Sequence, residues 1–134
     1  MISNKSSVGL FSFGSGVTIS NLRLFNFIVN GTTVNSYVGS LFGYMQNSQL
    51  SNIFLSATGS TARNRISGSE ETNYLGGGGL IGGFDGGFIR NITVENTIVS
   101  FKYSTGGTGG LIGKSAGMNI RNSHNIGFLF FFFF

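Results

Sequence analysis

Short apolar runs bounded by Gly and Ser punctuate the chain: GLFSF from Gly9, SLFGY from Ser40, GLIGG from Gly79 and GLIGK from Gly110. Each reads as a short buried strand. A second piece follows in which apolar and polar positions alternate, with Val17, Ile19, Leu22 and Leu24 in the first copy and Ile89, Ile92 and Val94 in the third. Turn residues separate the two pieces: Ser15-Gly16, Gln46-Asn47-Ser48, Asp85-Gly86-Gly87 and Ser115-Ala116-Gly117. A third short strand is expected at 27–29 and again at 98–101.

The copies align on one pattern. Gly9-Leu10-Phe11-Ser12 is followed by Ile19-Ser20-Asn21, and Ser40-Leu41-Phe42-Gly43 by Leu50-Ser51-Asn52. Gly79-Leu80-Ile81-Gly82 is followed by Ile89-Arg90-Asn91, and Gly110-Leu111-Ile112-Gly113 by Ile120-Arg121-Asn122. The step from the fourth motif residue to the Ile or Leu is 7 in every copy, and the asparagines lie 31, 39 and 31 residues apart. A rigid motif with a variable spacer is what stacked coils with one surface insertion produce. One copy cannot bury its apolar face alone, but it can by stacking on the next. The pattern predicts an all-β fold: a parallel β-solenoid, β-helix-like, of about four stacked coils. Leu10, Leu41, Leu80 and Leu111 are the repeated core positions. Asn21, Asn52, Asn91 and Asn122 are expected to stack at a strand bend, each amide bonding its neighbours.

Composition supports strands over helices. Gly, Ser, Asn and Thr make up 65 of the 134 residues, and these favour turns and strands. Charged residues are only 9 % while apolar residues are 40 %, the opposite of a disordered chain. The net charge of +4 comes from scattered Lys and Arg, too diffuse for a nucleic-acid footprint. With no Cys and one His, neither a disulfide framework nor a common zinc site is expected.

The pattern Gly-Leu-x-Gly, a turn, then Ile-x-Asn resembles the GLUG repeat. It is complete at Gly79-Leu80-Ile81-Gly82 with Ile89-Arg90-Asn91, and at Gly110-Leu111-Ile112-Gly113 with Ile120-Arg121-Asn122. The first two copies depart from it at Ser12 and Ser40. Such repeats form stalk or display segments of adhesin-like surface proteins and of IgA-cleaving metallopeptidases. The resemblance implies a non-catalytic structural or adhesive module of a larger cell-surface or secreted protein. It brings no catalytic, cofactor or metal residues.

Strings that look like chemistry have blander accounts. Gly77-x-Gly79-x-x-Gly82 fits a dinucleotide fingerprint as letters, but a strand-like stretch follows where a helix is required. The stretch from Gly109 to Ser115 lacks the first P-loop glycine, that place being Thr108. No cofactor is expected. The alternative function is a carbohydrate-active or carbohydrate-binding β-helix. A hydrolase needs two convergent carboxylates, and Asp85 with Glu95 is the available pair. For binding, the asparagine column could line a polar groove, and Tyr44, Tyr74 and Tyr103 are candidates for surface stacking on sugar or protein.

The expected organisation is an N-terminal extension 1–7, the solenoid 8–127 with a surface insertion at 60–74, and a poly-Phe tail 128–134. Partners would be further repeats of the same chain or a capping partner, with protein or carbohydrate surface ligands. No nucleic acid and no membrane span are expected, the apolar runs being far short of about 20 residues. An extracellular or cell-surface location follows from the resemblance alone, since no signal peptide is recognised.

Overall fold

A computed structural model describes residues 6–32, 34–58, 63–68 and 73–131, the side chains of Tyr103, Met118 and 125–131 excepted. The described residues form strands and no helix. In chain order these are β1 (Ser7–Val8), β2 (Phe11–Ser15), β3 (Thr18–Phe25), β4 (Ile28–Gly31), β5 (Ser36–Val38), β6 (Phe42–Ser56) and β7 (Asn64–Gly68). Then follow β8 (Asn73–Gly78), β9 (Ile81–Phe101), β10 (Tyr103–Ser104), β11 (Thr108–Gly109), β12 (Ile112–Arg121) and β13 (His124–Phe131). All pairings among them are parallel.

The large sheet stacks successive chain segments on one another. Phe11 pairs with Phe42, Phe42 with Ile81, and Ile81 with Ile112. Ile19 pairs with Leu50, Leu50 with Ile89, and Ile89 with Ile120. A smaller sheet, β1, β5, β8, β10 and β11, runs beside it. This curled, parallel, all-β arrangement is compatible with a β-helix or solenoid.

What bends the segments is a set of left-handed residues. Gly16, Asn47, Gly86 and Gly117 form one column at positive φ, and Asn21, Asn52, Asn91 and Asn122 form a second, with φ from 47° to 57°. Asn26 and Asn96 mark a third. Gly16, Asn21 and Asn26 are five residues apart, as are Gly86, Asn91 and Asn96. Only Gly and Asn enter this region at low cost, which accounts for the chain's richness in both. Between bends, alternate side chains point inward. Leu41, Met45, Leu50, Ile53, Leu55, Leu80, Ile81, Phe84, Ile89, Ile92 and Val94 form the main core. Val38, Ile66, Tyr74, Val99 and Phe101 form a second cluster beside the small sheet.

The last glycine of each motif has a steric reason. A Cβ on Gly43 would lie 2.5 Å from the Val8 nitrogen on β1, and one on Gly113 would lie 2.5 Å from the Gly77 nitrogen on β8. On Gly82 it would strike the Val38 nitrogen on β5 and lie 2.6 Å from the Gly43 oxygen. The two sheets therefore meet backbone to backbone at this column. In β2 the place is taken by Ser12, which is exposed. Ser40 replaces the first motif glycine and donates from its hydroxyl to the Gly79 carbonyl at 2.7 Å. Gly82→Ala is expected to destabilise by about 1–3 kcal/mol, because backbone cannot move aside as a side chain can. Urea melts checked against the wild type measure this.

The structure departs from the expected organisation in three places. The stretch 60–74 is not simply a surface insertion. It holds β7, which pairs with β4 on one side and β9 on the other, and β8 begins within it. Pairing offsets show that the extra residues are divided. Phe25 faces Ser56 but Ile28 faces Arg65, a gain of six, and the remaining two enter before Tyr37 faces Gly76. Second, the 128–134 tail is not wholly outside the fold: Phe128 to Phe131 pair with Ile98, Val99, Ser100 and Phe101 in β13. Third, Leu10 is 52 % exposed where Leu41 and Leu80 are 0 %, and Leu111 is only partly buried. Among the described residues β2 ends the sheet, so no further segment covers Leu10.

Candidate functional site

The second bend column builds a ladder on the outer surface. Asn52 donates from Nδ2 to Asn21 Oδ1 at 3.0 Å, and Asn91 donates likewise to Asn52 at 3.0 Å. Each amide has two N–H groups, so the bond along the ladder leaves a second donor on every rung. Asn21, Asn52, Asn91 and Asn122 are all exposed. The first three line a shallow depression of about 330 Å³, together with Arg23, Ile53, Phe54 and Thr93.

Two rows flank the ladder. On one side the register aligns Ser20, Ser51, Arg90 and Arg121, each immediately before its asparagine. On the other it aligns Arg23, Phe54, Thr93 and His124. Arg23, Arg90, Arg121 and His124 are exposed. The Arg90 guanidinium lies over the Phe88 ring, 5.7 Å from its centroid, and this holds it in place. Phe25 meets Phe54 edge-on with centroids 6.0 Å apart.

Where the left-handed bends interrupt the backbone ladder, the next segment supplies a side-chain acceptor. Val17 N–H donates to Ser48 Oγ at 3.0 Å, Ile92 N–H to Ser123 Oγ at 3.4 Å, and Phe27 N–H to Asn64 Oδ1 at 2.6 Å. Sequence reasoning missed Ser48, Asn64 and Ser123 in this role. It also missed the arginines beside the ladder. The signal for them is the repeated Ile-Arg-Asn at 89–91 and 120–122, which sets two arginines at equivalent repeat positions.

The tyrosines do not form a common surface. Tyr74 is buried at 0 % exposure, not at the surface. Gly31 and Gly68 pair directly and leave a ring-sized space, and Tyr74 fills it. Its hydroxyl donates to the Gly31 carbonyl, and its ring meets Phe101 edge-on at 5.0 Å. Tyr103 pairs with Asn73 in β10, and its side chain lies outside the described residues. Tyr44 is half-buried in a row that aligns Phe13, Tyr44, Gly83 and Lys114. It stacks on Phe13 at 6.0 Å, leans on Tyr37 at 4.9 Å and donates its hydroxyl to the Asp85 carboxylate.

Burial pushes the Tyr44 phenol above its ordinary 10.0, and the Asp85 hydrogen bond and charge add to it. A raised folded-state value means the contribution is full below the unfolded value and is lost as pH climbs past about 10. Tyr44→Phe is therefore expected to flatten the alkaline limb of the stability profile. Urea midpoints taken on either side of about pH 10 test this. Parallel slopes for the two proteins would contradict it.

The two described acids are on separate duties. Asp85 accepts from Tyr44, while Glu95 accepts from Ser56 Oγ at 3.3 Å. The bends at Gly86 and Asn91 fall between them along β9. Glu70 and Glu71 lie outside the described residues. Both glycine-rich strings run into strands, β9 and β12, and neither leads into a helix that could hold a phosphate. No group of three or more His, Cys, Asp or Glu suited to a metal occurs among the described residues. A scan against protein-family models, a search of curated proteins and a search of solved structures each give no match.

Proposed function

We propose that this chain is a non-catalytic repeat module, a parallel β-solenoid of about four stacked GLUG-like coils in a larger cell-surface or secreted protein. The supporting observation is the in-register parallel pairing of successive motif copies, Phe11 to Phe42 to Ile81 to Ile112. Such a stack extends by repetition and presents a regular outer face, as a stalk or adhesive segment must. Leu10, Phe11, Phe25 and Ile28 are exposed on the first coil, which suits a partner there: further repeats or a cap. The test is to probe intact source cells and their medium with an antibody to the chain. Labelling outside the membrane or in the medium supports the reading, and label confined to the cytosol overturns it.

A second reading, a carbohydrate-binding β-helix, is favoured by one observation: the depression that sets the Phe54 ring beside the asparagine amides. Aromatic rings with amide donors suit sugar rings and their hydroxyls.

A further inference from the structure

We infer that the face carrying the asparagine ladder binds an acidic polysaccharide, its carboxylate or sulfate groups held by Arg23, Arg90 and Arg121 on the two sides of the ladder. The inference rests on the carbohydrate-binding reading and narrows it to one ligand class.

The first argument is charge. Arg90 and Arg121 are direct cross-strand partners, which puts two cations about 4.8 Å apart in backbone spacing. Like charges in that position repel and cost stability. Among the described residues no ion pair offsets them. Of the two described acids, Asp85 accepts from Tyr44 and Glu95 from Ser56. Stacking of Arg90 on Phe88 fixes one guanidinium instead of letting it swing away, so part of the ordering cost of binding is met beforehand. Arg23 adds a third cation across the ladder, at the depression.

The second argument is periodicity. The ladder offers an amide donor at every strand step, about 4.8 Å, close to the length of one pyranose residue. A polymer with a repeating acidic group can engage several rungs and cations at once, and many weak contacts then sum to useful affinity. A lone small anion on so shallow a face would gain one or two exposed pairs, each worth little. A single-stranded nucleic acid is the poorer fit. It needs successive stacking rings, and this row offers only Phe54 before Thr93 and His124.

The experiment is titration calorimetry of the full chain at low salt. The probes are an oligogalacturonate, a heparin oligosaccharide, a neutral dextran and a single-stranded oligonucleotide. An acidic glycan should bind, the dextran should not, and affinity should fall as salt is raised. Arg90→Gln with Arg121→Gln should weaken binding by about tenfold or more, as should Arg23→Gln combined with either. All three side chains are exposed and the Arg90–Arg121 pair is repulsive, so the melting temperature should not fall, which separates lost binding from lost fold. Acidic-glycan binding unchanged in the arginine variants overturns the inference. Equal binding of dextran overturns it but leaves the carbohydrate reading intact. Preference for the oligonucleotide overturns it in favour of the other polymer. Silence from all four probes overturns both this inference and the carbohydrate reading, while the repeat-module reading is judged separately by the antibody experiment.

Discussion

Leu80→Asp and Leu41→Asp should each unfold the chain, whereas Leu10→Asp should leave a cooperative melt nearly in place. All three leucines hold the same position in the repeated motif. Leu41 and Leu80 are fully buried, with a segment paired above and below, while Leu10 is 52 % exposed. Aspartate at the two inner sites would bury a carboxylate among Phe42, Ile81 and the other apolar residues of the main core. A lost leucine costs about 2–5 kcal/mol, and an unpaired buried charge adds several more or forces its own protonation. Against a total stability of about 5–15 kcal/mol, the loss is most or all of the fold. At Leu10 the carboxylate stays in water and the loss should be near the ordinary surface range of about 0.5 kcal/mol. Circular dichroism melts of the three variants at one protein concentration test the contrast. Equal effects at all three sites would mean that stacking does not set the core.

The all-β, parallel character was legible because the motif keeps a constant internal step, so the segments can pair in only one register without turning their leucines outward. The bend column at Asn21, Asn52, Asn91 and Asn122 could be read from the same constancy. What the column does outside could not. Alternation tells inward from outward positions within a strand, but a left-handed residue at a bend belongs to neither phase. Its exposure is set by how the two flanking strands turn. The burial of Tyr74, expected at the surface, is hidden for a related reason: it follows a polar stretch in sequence, yet its surroundings are set by Gly31 and Gly68, distant in sequence and paired in space. No local pattern carries that information. The arginine rows likewise exist only once the register brings residues from separate segments together.

Strand β7 was the largest omission, and it bears on the second large prediction. Its sequence, NRISG, has one apolar residue and no motif, and a six-residue offset displaces it from the expected alignment. A chain read for repeats therefore passes over it as inserted loop. In space it is the middle strand between β4 and β9. Ile66 is fully buried against Val38, Tyr74, Val99 and Phe101. Asn64 is also fully buried. Its Oδ1 accepts from the Phe27 N–H at 2.6 Å, and its Nδ2 donates to Thr97 Oγ1 at 3.2 Å. Deleting residues 60–66 is thus expected to destabilise the chain severely. Loop shortening itself is cheap. The cost comes from the lost isoleucine, about 2–5 kcal/mol, and from backbone donors on β4 and polar groups on β9 that lose their partners. Two substitutions apportion it. Ile66→Ala should cost about 2–4 kcal/mol, and Asn64→Ala about 1–3 kcal/mol by stranding the Phe27 N–H and removing the bond that Thr97 Oγ1 accepts, its own O–H still donating to the Glu95 carbonyl. Urea unfolding of the deletion and both substitutions measures all three. A deletion variant that melts like the wild type would show that β7 is dispensable and that 60–66 is inserted surface loop after all.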